Sequence, residues 1–97
     1  MTTPKLTVRR LIWDTWNIAH IARHDVIPDE VEEVCHGAPV TSATYKGRIR
    51  VVGPTRNRRM LTVILAPTDE SGVYYPVTAR PADRKERRNY DEQRGTP

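Results

Sequence analysis

The chain has a single cysteine, Cys35, among its 97 residues, and that scarcity excludes an internal disulfide and any cysteine-rich metal site. A lone cysteine agrees with a reducing compartment, where it packs as a small hydrophobe. Long apolar runs are missing too. No stretch approaches the roughly 20 residues that span a bilayer. The opening Met1-Thr2-Thr3-Pro4-Lys5 lacks the apolar core of a signal peptide, so no membrane partner is expected and the expected location is the cytoplasm. There is no internal repeat and no low-complexity segment. Length bounds the rest: one domain over residues 1–97 with a single modest core, its last residues 94–97 frayed.

Acids are absent from one region and crowded into another. Lys46, Arg48, Arg50, Arg56, Arg58 and Arg59 follow one another with no Asp or Glu between them, whereas Asp25, Asp29, Glu30, Glu32 and Glu33 form a stretch without Lys or Arg. The net charge of +4 therefore hides a polarised surface, one side of which attracts anions. The alternative for the 46–59 run is a merely solvated face.

Residues Thr7–Trp13 read as a first strand, closed by Asp14 as a helix N-cap. Over Thr15–His24, Trp16, Ile18, Ala19, Ile21 and Ala22 recur at helical spacing, and Asn17, His20 and His24 share another face. Pro28 opens a second helix with Val31, Val34 and Cys35 as its buried stripe and Gly37 as its stop. After residue 39 the period becomes that of strands: Val40–Tyr45, Arg48–Val52, Met60–Ala66 and Val73–Ala79, an antiparallel meander with Leu61–Leu65 central. Pro76 implies an edge or a bulge in the last strand. Asp83 then caps a helix from Arg84 to about Glu92, with Glu86 as the reciprocal member of a capping box. The fold class is α+β: an N-terminal strand and two helices packed on a small antiparallel sheet, with a C-terminal helix.

The junction from Val77 to Tyr90 is the most telling stretch. A strand ends on Arg80 and an arginine-rich helix begins within four residues, which crowds guanidinium forks suited to phosphodiester oxygens. RNA or another polyanion is the expected ligand.

Those residues, Val77, Thr78, Ala79, Arg80, Ala82, Asp83, Arg84, Glu86, Arg87 and Tyr90, resemble the C-terminal pattern of the BrnT-type toxins of bacterial type II toxin-antitoxin modules, small RelE-like ribonucleases. Trp13, Asp14, Arg23, His24 and Val26 fit the family's N-terminal signature. The chain departs from it where Asp25 replaces a glycine and where Trp13 and His24 lie one residue closer together, with Asn17 or His20 near the place of a family asparagine. The resemblance implies a cytoplasmic toxin that is a metal-independent endoribonuclease needing no cofactor and inhibits translation. It also implies a DNA-binding antitoxin partner, often ribbon-helix-helix, through which alone the complex reaches operator DNA. The substrate it implies is RNA, free or on the ribosome.

Such a nuclease needs a base for the 2′-hydroxyl, cations for the developing charge and an acid for the leaving oxygen. Arg80 is the first candidate clamp, with Arg84 and Arg87 or Arg88 extending the cradle and Glu86, Tyr90 and His24 (or His20) as proton-transfer candidates. Lys46, Arg48, Arg50, Arg56, Arg58, Arg59 and Arg88 are candidate RNA contacts. Each has a plainer alternative: a salt bridge from Arg80 to Glu86 or Asp83, a capping role for Glu86, a helix-end partner in His24, and a seal for the last helix in Tyr90. A rival function is a non-catalytic RNA- or protein-binding module of the same fold. His20 and His24 have metal-ligand spacing, but no third ligand lies nearby in sequence, so no metal is expected.

Overall fold

The first helix begins on a capping carboxylate. A computed structural model, which describes residues 6–94, shows Asp14 accepting the Asn17 N–H at 2.9 Å while the Asn17 side-chain oxygen accepts the Asp14 N–H at 2.9 Å. This reciprocal pair satisfies two donors that a helix start otherwise orphans. The helix, α1, spans Thr15–Ala22. Its end is sealed by Asp25 at φ +59°, with the Asp25 and Val26 N–H groups bonded to the carbonyls of Ala22 and Ile21 at 3.0 and 3.2 Å. Asp25 thus fills the left-handed position that glycine usually takes. Helix α2, Pro28–His36, starts on proline and buries Val31, Val34 and Cys35.

Five strands form one sheet: β1 Arg10–Leu11, β2 Val40–Ala43, β3 Ile49–Pro54, β4 Met60–Pro67 and β5 Val73–Pro81, ordered β1-β5-β4-β3-β2. The meander is antiparallel and β4 is central, as expected. The N-terminal strand is shorter than Thr7–Trp13 and pairs parallel to β5 through Arg10–Val73 and Leu11–Tyr74 only. Asp14 commits the chain to a helix immediately afterwards, which limits β1. Tyr45 lies outside β2, in a one-turn helix over Tyr45–Gly47 where Lys46 and Gly47 have φ +62° and +71°. Helix α3 spans Arg84–Arg94, so Arg94 is helical, and 95–97 lie outside the described residues.

Side-chain alternation gives the sheet two unlike faces. On the first, Val51, Leu61, Val63, Leu65 and Ala79 pack with Ile21, Val26, Val31 and Val34 of the α1–α2 layer into the core. The residues between them, Arg50, Val52, Thr62, Ile64, Thr78 and Arg80, face the other way, where α3 contacts β2 and β3. Strand β5 serves both faces because it carries a bulge: Ile64 pairs with Thr78 but Leu65 pairs with Pro76, leaving Val77 as an extra residue. The buried Asn17 amide donates to the carbonyls of Pro76 at 3.2 Å and Ile12 at 2.9 Å.

That role for Asn17 corrects the expected orientation of α1. Asn17 and Ile21 are its buried pair, whereas Trp16 is 56% and Ile18 42% exposed. Trp16 instead stacks on His20, with ring centroids 4.9 Å apart. Among the described residues, no helix is long and apolar enough to cross a membrane.

Candidate nucleic-acid interface

The junction of β5 and α3 is organised by one carboxylate. Thr62 and Arg80 are cross-strand partners on the second face, so both side chains reach the start of α3. Glu86 Oε1 accepts hydrogen bonds from the Thr62 hydroxyl at 2.8 Å, Arg80 Nη1 at 2.8 Å and the Asp83 N–H at 2.9 Å, and Oε2 accepts one from Arg80 Nη2 at 2.9 Å. Asp83 Oδ1 returns the cap by accepting the Glu86 N–H at 2.8 Å. Burial alone would raise the Glu86 carboxyl, but the donors from Arg80, the Asp83 backbone and Thr62 outweigh it and hold the group at about 2. The same bonds push the Arg80 guanidinium up from its ordinary value.

Arg80 is therefore fastened to Glu86, as the salt-bridge alternative requires, and does not stand as a free phosphate clamp. Glu86 likewise has its oxygens occupied, so its expected proton-transfer role gives way to a structural one.

Beside this junction a cleft of about 400 Å³ opens between α3 and the second face. Val40, Ser42, Arg50 and Val52 line its sheet wall, and Arg80, Asp83, Lys85, Glu86 and Asn89 complete it. Arg50 is its distinctive member. Its cross-strand neighbours, Ser42 and Ile64, carry no charge, and its Nε is buried without a hydrogen-bond partner. A desolvated donor on a permanent cation is costly until an acceptor, best an anionic oxygen, meets it.

The remaining candidates are dispersed. Arg84, Arg87 and Arg88 are exposed on α3 and are not among the residues lining the cleft; its helix side is the Lys85–Glu86–Asn89 flank. The Tyr90 hydroxyl donates to the Ala38 carbonyl at 3.4 Å, which ties α3 to the start of β2. His24 lies at the end of α1 on the first face, so the sheet separates it from Arg80. It cannot transfer a proton at this junction.

The 46–59 run is no single patch. Lys46 and Arg48 sit at one end of β3 and Arg56 and Arg58 beyond the other, roughly 20 Å of extended chain apart. Arg59 is consumed on the first face: it donates to the Asp25 carbonyl at 2.6 Å and the His24 carbonyl at 3.2 Å and bridges Glu30 at 3.1 Å. A larger concavity of about 530 Å³ lies between α2 and the β3–β4 turn, but the carboxylates of Asp29, Glu32 and Glu33 outnumber the Arg56 guanidinium in its lining, which disfavours anions. Among the described residues, no three His, Cys, Asp or Glu side chains gather as metal ligands.

No protein-family model matches the chain, and no curated protein matches it. The residues at 13–26 and 77–90 thus carry the BrnT-type resemblance alone. Sequence reasoning missed Lys85, Asn89 and Thr62. The i,i+4 spacing of Lys85 and Asn89 beside the capping Glu86 marks the first two as one helix flank, whereas Thr62, in an apolar strand, gives no such signal.

Proposed function

We propose that this chain is the toxin of a type II toxin-antitoxin pair, a metal-independent endoribonuclease that binds RNA in the cleft between α3 and the sheet and inhibits translation. The observation that supports it best is the unpartnered, buried Nε of Arg50 in a cleft that also holds Lys85 and Arg80. Cations placed on strand and helix around a concave site favour phosphate oxygens, which answer their charge. Arg48 lies just before β3 and Arg84 just after the β5 end, both outside the cleft lining, where they would meet charges further along a ligand with repeated charge. RNA, free or ribosome-bound, and a cytoplasmic setting come from the motif resemblance. So does the antitoxin, a DNA-binding protein of ribbon-helix-helix type that covers the cationic cleft and alone touches operator DNA.

A second reading, a non-catalytic RNA-binding module, is favoured by the occupied oxygens of Glu86 and the remote His24. The test is direct. Purified protein should bind a single-stranded RNA oligonucleotide with strong salt dependence and convert it to products with 2′,3′-cyclic phosphate ends, and induced expression should arrest growth. Arg50→Met should weaken binding about tenfold and lower the salt slope by about one. Binding unaffected by Arg50→Met overturns the placement of the site. Binding without cleavage or growth arrest selects the second reading.

A further inference from the structure

We infer that Asp83, read from the sequence as a helix cap, is the proton acceptor of the cleft and takes the 2′-hydroxyl proton when RNA is cut. The inference rests on the ribonuclease reading above and identifies the base that reading otherwise lacks.

The cleft holds two carboxylates, Asp83 and Glu86. Glu86 accepts four hydrogen bonds from three residues and has neither a free oxygen to offer nor an affinity for protons near neutral pH. Asp83 differs on each geometric count. Its Oδ1 accepts the Glu86 N–H, while its Oδ2 makes no hydrogen bond among the described residues. Its side chain is exposed and shares the cleft with Arg50, Arg80 and Lys85.

The group is also held in place. The Asp83 N–H is bonded to Glu86, the preceding Ala82 N–H to the Met60 carbonyl at 2.9 Å, and Glu86 in turn to Arg80. The strand-to-helix junction thereby fixes the backbone that carries the carboxylate, which is the positional control that general base catalysis requires. The other candidates for proton transfer named above are excluded by place or by occupation. His20 and His24 lie beyond the sheet, and Tyr90 spends its hydroxyl on Ala38. Cys35 is buried in the opposite layer, its thiol pushed up to about 12 by burial.

With a phosphodiester seated against Arg50 and Lys85, the 2′-hydroxyl proton passes to Asp83 Oδ2 as the 2′ oxygen bonds to phosphorus. The bond from phosphorus to the 5′ oxygen breaks, and the departing oxygen takes a proton from water. The products are a 2′,3′-cyclic phosphate and a 5′-hydroxyl, and Asp83 returns its proton to solvent, so no oxidant, reductant or co-reactant enters.

The decisive variant is Asp83→Asn, because asparagine caps a helix as well as aspartate does and its amide oxygen can still accept the Glu86 N–H. The expected result is a folded protein with an unchanged thermal midpoint whose affinity for a single-stranded RNA oligonucleotide is equal or higher, since an anion has left a cationic cleft. Cleavage of that oligonucleotide should fall about 10²- to 10⁴-fold. Asp83→Ser, another good cap without a carboxylate, should behave the same way. Wild-type cleavage that survives both substitutions within about threefold overturns this inference and leaves the ribonuclease reading standing. Wild-type protein that binds the oligonucleotide but leaves it intact overturns both.

Discussion

Arg50 and Arg80 project from the same face of the sheet, on β3 and β5 with β4 between them, yet their circumstances are opposite. Arg80 is paired fork to fork with a carboxylate that is itself anchored by a threonine and a backbone N–H. Arg50 has uncharged neighbours across both strands and a buried nitrogen with no acceptor. The first arginine builds the fold, and the second has no carboxylate partner among the described residues. The contrast teaches that a motif arginine beside a helix cap can be conspicuous for architectural reasons, while the arginine proposed above to meet RNA lies in a strand with no local mark.

The most damaging way to break the comparison is to remove the support that both arginines share. Leu61 belongs to β4, the strand that separates them, and is fully buried on its first face. Leu61→Ala should cost about 2–5 kcal/mol in urea unfolding, with both arginine environments lost together.

A milder substitution makes the two alike. Glu86→Gln keeps the shape of the side chain but removes the charge that holds Arg80, and should cost on the order of 1–2 kcal/mol at neutral pH, discounted because the Arg80 side chain is 39% exposed. It should also free Arg80 and so strengthen RNA binding. The sign of the pH effect follows from a carboxyl held at about 2 against an ordinary 4.5. Its stabilisation is complete above about 4.5 and is lost as pH falls towards 2. Unfolding measured across that window should show this loss in the wild type and a flatter curve in Glu86→Gln.

The smallest effect belongs to a third arginine that sharpens the contrast. Arg59 joins the end of α1 to α2 through Asp25, His24 and Glu30, so Arg59→Ala should lower stability by roughly 1 kcal/mol. The same variant should bind RNA as the wild type does in a titration at moderate salt.

Much of the fold was legible because period and punctuation agree. Asp14, Pro28 and Asp83 mark three helix starts, and the β-branched runs after residue 39 mark four strands with the most apolar one in the middle. What periodicity concealed was Asn17: a polar residue in an apolar helix reads as outward, but here its amide satisfies two buried carbonyls. The parallel pairing of β1 was hidden for another reason, since a two-residue strand has too little pattern to announce its direction. At the site, the Asp83–Glu86 box was legible from spacing alone, and the Arg80–Glu86 bridge stood among the alternatives. The cleft was not, because Arg50, Lys85 and Asn89 come from elements more than thirty residues apart and meet only once α3 folds back over β2 and β3.

The surplus residue in β5 decides which way the cations look. Strict alternation would send Tyr74, Pro76, Thr78 and Arg80 to one side, yet Tyr74 and Pro76 belong to the interior while Thr78 and Arg80 face α3. Val77 absorbs the half-turn between those two demands. Deleting it would leave the strand a choice between driving a guanidinium into the hydrocarbon layer and expelling a tyrosine and a proline into water, so a lone valine keeps the inner and outer surfaces of this protein distinct.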